Sequence, residues 1–261
     1  MGTFLDNRTT QSPHEPTAGH FHRQDARAAP ECLRDAIARA RTGAPQELVG
    51  GGADCSRVDH GGSVCLAQTH ARPQDPMSHP EDLLRTAEEV LTILGQHHLD
   101  AVVIGAVALA AHHYVRQTDD IDLGVNADVP TLRAVVGSLR VAGFEVELRE
   151  PDAADPLGGV IDVSGPFGLV QIISYAGRFP AVIEDAVRLS TLVVREGSSL
   201  RIVPIPHLIA LKLYAGGHKS KADIIELLVR NPGLDLDEVR AVCARYLVTG
   251  IDELIAESGS V

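Results

Sequence analysis

Residues 101–125 limit the possible folds more than any other stretch of the chain. Ala101 to Ile104 is a short, continuous apolar run; Gly105-Ala106 breaks it; Val107 to Tyr114 reads as a short helix; and Asp120-Ile121-Asp122-Leu123 opens a second strand that runs to Val125. Side chains alternate along a strand, so Asp120 and Asp122 project together from one face while Ile121 and Leu123 enter the core. Two carboxylates held side by side repel each other, and a divalent cation relieves the repulsion. Hard oxygen ligands suit Mg²⁺ or Mn²⁺, and Mg²⁺ takes one or two carboxylates together with substrate phosphates. At the upstream turn, a glycine lets the backbone come close to an anion, and the N–H groups of the following helix are free to bind it. The unit could thus hold a nucleoside triphosphate and its metal.

The rest of the chain sets bounds on this reading. At 261 residues it has room for one large or two small domains, and its 44% hydrophobic content supplies a sizeable core. No apolar run reaches the ~18 residues of a membrane span, and no basic-then-apolar leader opens the chain, so the expected location is cytoplasmic. The formal charge of −12 argues against broad electrostatic binding of nucleic acid, although a local basic groove remains open. Of the 23 basic residues only Lys212, Lys219 and Lys221 are lysines, in a composition rich in Ala, Gly, Val and Arg. Lysines clustered within ten residues against such a bias point to a need for a compact ammonium, Lys212 foremost; the alternative is a solvated helix end.

Residues 1–76 carry Pro, Gly, His, Gln and Thr without periodicity, apart from a weak helix over 30–41. They read as a disordered or mis-assigned extension, with Met77 as the true start. Cys55, His60, Cys65 and His70 recur every five residues, wider than the blocks of structural zinc sites. Four dispersed cysteines do not suggest a disulfide framework. Ser78 to Glu81 is a capping box opening a helix to about His97, with Leu83, Ala87, Val90, Leu91 and Leu94 on one face. His112 and His113 end the 107–114 helix and read as dipole-favoured residues. Then follow a helix over 130–142, strands over 144–148, 160–163 and 169–174, a helix over 180–186, a hairpin of 191–195 with 200–204, and helices over 206–215, 222–229 and 236–248. The pattern predicts an α/β (α+β) chain with a mixed sheet flanked by helices and a helical C-terminal part. Residues 77–204 would form the core, with 205–261 packed on it.

The apolar-Gly turn, the spacer, the lead-in Arg116-x-Thr118-x-Asp120 and Asp120-x-Asp122 resemble the nucleotidyltransferase superfamily with the DNA polymerase β-like fold. Leu208 to Gly217, with Ala222-Asp223-Ile224, is similar to the C-terminal motif of its AbiEii/AbiGii-type toxin branch. The resemblance covers roughly residues 83–228. It implies a metal-dependent enzyme that moves a nucleoside monophosphate from an NTP to a hydroxyl on RNA (such as a tRNA end), on protein or on a small molecule, with a toxin role and a partner antitoxin as further implications. By the same resemblance Asp120 and Asp122 hold Mg²⁺ or Mn²⁺, Gly105-Ala106 touches the β- and γ-phosphates, Lys212 neutralises phosphate charge, and Asp223 orients that lysine or a nearby arginine. Arg116 either faces the triphosphate or pairs with Asp119.

This sequence departs from the family pattern at three positions. Ala106 stands where the family has Gly or Ser. Gln171 fills the slot of the third carboxylate, leaving Asp162 on the neighbouring strand as a substitute if the hairpin register allows. Ser220 replaces an aspartate before Asp223. These departures keep a second reading in view: a catalytically degenerate member that binds nucleotide or a partner. A phosphatase using Asp-x-Asp would give the Gly105 turn no role.

Overall fold

The computed structural model describes residues 80–152, 157–177 and 179–259. The helix over 30–41, the Cys55–His70 series, Met77 and the Ser78 cap lie outside them. The described elements are α1 (Pro80–Gln96), β1 (Ala101–Ile104), α2 (Gly105–Ala111), β2 (Asp120–Val125), α3 (Val129–Val141), β3 (Glu145–Arg149), β4 (Gly159–Gly165), β5 (Gly168–Ser174), α4 (Pro180–Leu189), α5 (Ile205–Ala215), α6 (Gly217–Arg230), α7 (Leu236–Arg245) and α8 (Ile251–Ser258).

The sheet order is β1-β2-β5-β4-β3, with β2 and β5 parallel and the other pairs antiparallel. Pairing fixes two kinds of row across it. One runs Val103, Leu123, Ile172, Ile161, Leu148 and is apolar throughout. The adjacent row, on the opposite face, runs Ile104, Asp122, Gln171, Asp162, Glu147. Alternation along each strand thus puts this polar row on the second face, where the next row, Val102, Gly124, Ile173 and Val160, is apolar again. α1 packs on β2 and β5, and α3 on β3 and β4. α4 lies against β1 and β2, its Ile183 filling the space a side chain at Gly124 would need.

α5 is buried along its whole first part, Pro206 to Leu211, as expected of a helix surrounded by others. It contacts α4, α6 and α7, and α8 packs on α6. One hydrophobic cluster spans Leu83 to Ile255. No described helix is long and apolar enough to cross a membrane.

Several elements differ from the sequence reading. The turn at Gly105 is already the first residue of α2. α6 begins at Gly217, taking Lys219 and Lys221 into its first turns, and α8 was not foreseen. The hairpin of 191–195 with 200–204 is reduced to one bridge, Val193 with Arg201. Its returning arm pairs instead with β1: Val103 N donates to Arg201 O (2.7 Å) and Val203 N to Val103 O (3.0 Å). That arm covers the outer edge of β1, satisfying the groups an edge strand leaves exposed. His112 serves packing. Its Nε2 lies 2.7 Å from the Val203 carbonyl, to which it donates, and burial lowers its pKa to about 4, so the ring is neutral. Its own carbonyl accepts from the Asn231 side chain.

Candidate functional site

Asp120 and Asp122 lie at the start of β2, two residues apart and both partly buried, with Ile121 and Leu123 in the core between and after them. Thr118 Oγ1 donates to Asp120 Oδ1, which fixes that carboxylate from the preceding loop. Asp122 sits directly over Gly105. A Cβ built on that glycine would fall 1.7 Å from Asp122 Oδ2, and Gly105 has φ +66°, where L side chains are strained. Only glycine leaves room here for the carboxylate. The Gly105 turn and the Asp pair are therefore one structure.

The electrostatics of the pair follow from crowding. Burial first, and then the charge of Asp120, push the Asp122 carboxyl up to about 7, with Lys212, Arg116 and Lys219 pulling the other way. Positive charge placed beside the pair would lower this cost of ionisation. The same burial, with the charge of Asp122 behind it, pushes the Tyr175 phenol up.

Lys212, in the last turn of α5, donates through Nζ to Asp223 Oδ2 at 2.6 Å. The two side chains are 12% and 4% exposed, so this is a buried pair across the α5–α6 break. Burial lowers the Lys212 pKa and Asp223 opposes that shift. Lys212→Met strands a nearly inaccessible carboxylate and is expected to destabilise the chain by on the order of 3 kcal/mol. Urea denaturation of the variant beside the parent measures it.

Arg116 makes no ion pair among the described residues, so the alternative of a bridge to Asp119 is not realised. Its Nε is buried with no partner while its charge acts on Asp122. Ala106 is 4% exposed, its methyl packed away in α2.

Asp162 does not join the pair, contrary to the expectation that it could replace the third carboxylate. The two-residue loop Pro166-Phe167 pairs Gly165 with Gly168, and this places Gln171 between Asp122 and Asp162. Asp162 is two strands from Asp122, roughly 10 Å at ordinary strand spacing. Both of its oxygens are taken by Arg149 at 3.0 Å, and Oδ1 also accepts from Gln171 Nε2 at 2.6 Å. Among the described residues no group of three or more His, Cys, Asp or Glu side chains could hold a metal. Arg149 and Thr118 are the two further residues that fix these carboxylates, and of them only Thr118, two residues before Asp120, lies close to its partner in sequence.

A cavity of about 420 Å³ lies at the opposite end of β1 and β2, with Asp100, Asn126, Glu184 and Arg201 in its wall, and none of these site residues lines it.

No protein-family model and no curated protein sequence matches the chain. Among solved structures it is similar to the antibiotic-resistance factor ANT(2'')-Ia in solution (18% identity over 65% of this chain and 93% of that one, TM-score 0.42). It is similar also to ANT(2'')-Ia in complex with adenylyl-2''-tobramycin (17% identity, 63% and 96% covered, TM-score 0.41). A third similar structure is an antigenic nucleotidyltransferase-like protein from Paracoccidioides brasiliensis (15% identity, 68% and 92% covered, TM-score 0.40). At such low identity and score the likeness does not extend to substrate or activity.

Proposed function

We propose that this chain is a metal-dependent nucleotidyltransferase that moves a nucleoside monophosphate from an NTP to a hydroxyl acceptor. The observation that carries the reading is the Asp122 carboxylate seated in the space left by Gly105, beside Asp120 and under the charges of Lys212 and Arg116. Two crowded carboxylates beside Arg116, which makes no ion pair among the described residues, and beside the Asp223-paired Lys212 fit a cation together with a polyphosphate. Mg²⁺ or Mn²⁺ fits the donor set, with Asp120 and Asp122 as the residues that would hold it. When bound, such an ion supplies charge stabilisation on the attacking and leaving oxygens of the transfer.

The chain's own residues do the rest. Thr118 holds the Asp120 carboxylate in place. The backbone at Gly105-Ala106 meets the phosphates. Lys212, held by Asp223, balances phosphate charge, and Arg116, whose charge acts on Asp122 and which makes no ion pair among the described residues, supplies a guanidinium to the phosphates. Arg116→Ala is accordingly expected to raise KM for the NTP by about tenfold with a smaller change in kcat; steady-state kinetics over a range of NTP concentrations separates the two.

The experiment is transfer of label from each α-labelled NTP, with Mg²⁺ or Mn²⁺, into RNA, protein or small hydroxyl compounds. Label that enters one of these with the parent chain and not with Asp120→Ala/Asp122→Ala supports the reading and names both base and acceptor. The acceptor decides between an RNA- or protein-modifying toxin restrained by an antitoxin and a small-molecule enzyme. Gln171 in place of a third acid favours a second reading, a nucleotide-binding member without transfer. That reading keeps metal-dependent NTP binding and loses the label.

A further inference from the structure

Gln171 stands where the sequence reading saw only a missing carboxylate, and its surroundings give it a definite orientation. It lies on β5 between Asp122 on β2 and Asp162 on β4, in register with both and on the same sheet face. Its Nε2 is 2.6 Å from Asp162 Oδ1. Asp162 is bound by the Arg149 guanidinium through Nε and a terminal nitrogen, both at 3.0 Å, so both of its oxygens act as acceptors. The amide edge facing it must therefore be the NH₂. With its nitrogen donating to Asp162 on the β4 side, the amide keeps its carbonyl oxygen as the remaining polar atom, and the residue paired with Gln171 on its other side is Asp122.

We propose that the side-chain oxygen of Gln171 is the third protein oxygen of the divalent-cation site, and that Asp162 and Arg149 are positioning residues that hold the amide in that orientation. The inference rests on the nucleotidyltransferase reading of the Asp120–Asp122 pair. Amide oxygens are weaker ligands than carboxylates but belong to the oxygen set that hard cations accept. A neutral ligand also suits this row. An acid at 171 would stand beside both Asp122 and Asp162, placing three carboxylates on adjacent strands, where like charges directly opposite are destabilising. Arg149, Asp162 and Gln171 thus form a chain of hydrogen bonds ending at the site, of the kind that orients ligands from behind.

The test is Mn²⁺ binding to the full chain without nucleotide, followed by the spin-resonance signal of free Mn²⁺. Gln171→Leu is expected to weaken binding by about tenfold, and Asp162→Ala by a smaller factor because the amide is then free to turn. Gln171→Glu combined with Asp162→Asn exchanges acid and amide while keeping a donor facing an acceptor, and it is expected to bind at least as tightly as the parent. A side chain that merely spaces two carboxylates would leave Mn²⁺ binding parent-like in Gln171→Leu and in Asp162→Ala.

Parent-like Mn²⁺ binding in Gln171→Leu, with binding lost in Asp120→Ala/Asp122→Ala, overturns this inference and leaves the pair as the site. Parent-like binding in both variants overturns the site itself. If Gln171→Leu does not fold, judged by circular dichroism, the exchanged pair decides, and its failure to bind Mn²⁺ overturns the proposal.

Discussion

Gly105→Ala is expected to lower nucleotide transfer by at least about a hundredfold, the cost of moving a reacting group by an ångström or so. The added Cβ would lie 1.7 Å from Asp122 Oδ2 and 2.7 Å from its Cγ, distances no rotation of the alanine can relieve. Asp122 would have to swing off its position or β1 and β2 would have to part. Alanine at φ +66° adds strain of about 1–2 kcal/mol. Gly95→Ala and Gly137→Ala are the controls, since nothing lies within 4 Å of a Cβ at either and both sit in helices. These should keep full transfer and gain slightly in stability. Initial rates at saturating NTP, together with circular dichroism of each variant, check the comparison. Full activity in Gly105→Ala would mean that the position of Asp122 does not matter.

The second large effect is on stability and has the opposite sign to the effect on activity. The Asp122 carboxyl is raised from an ordinary 3.8 to about 7 by burial and by Asp120. The folded chain thus holds this proton more tightly than the unfolded chain does. The stability this lends is fully present below about pH 4 and is lost as pH rises through about 7. An asparagine stays neutral and has nothing to lose. Asp122→Asn should therefore be more stable than the metal-free parent by about 1.5 kcal/mol near pH 5 and by about 4 kcal/mol above pH 7.5, while transfer disappears. Urea denaturation at a series of pH values, in EDTA, measures the gap. With Mn²⁺ added the order should tighten or reverse, because the parent gains the binding energy and the variant does not. A gap that stays constant with pH would show that Asp122 ionises normally.

The parts of the site set by local periodicity could be read from the sequence. Asp120 and Asp122 share a face because the strand period is 2, and Gly105 was marked by the apolar run that ends at Ile104. The pairing of Lys212 with Asp223 joins two helices across the break at Gly216 and was reached through resemblance, since no period links residues eleven apart over a chain reversal. The fate of Asp162 depended on hairpin register. Reading Ser164 to Gly168 as a five-residue turn left that register open, whereas Pro166-Phe167 as a two-residue loop fixes Asp162 opposite Gln171. Arg149 was invisible for the same reason, because its partner lies across that register. The edge pairing of 201–203 with β1 and the helix α8 went unseen because both depend on what they pack against.

Binding of a non-hydrolysable nucleoside triphosphate to the full chain, with Mn²⁺ and with EDTA, bears most directly on the claim that Asp120, Asp122 and Gly105 form one cation and triphosphate site. Isothermal titration of the parent and of Asp120→Ala/Asp122→Ala gives the comparison. The expected result is saturable binding by the parent in Mn²⁺, weakened by about tenfold or more either by EDTA or by the double substitution. Equal affinity in parent and double variant, or a parent that binds no triphosphate in Mn²⁺, would contradict it and leave Asp120 and Asp122 as a structural pair.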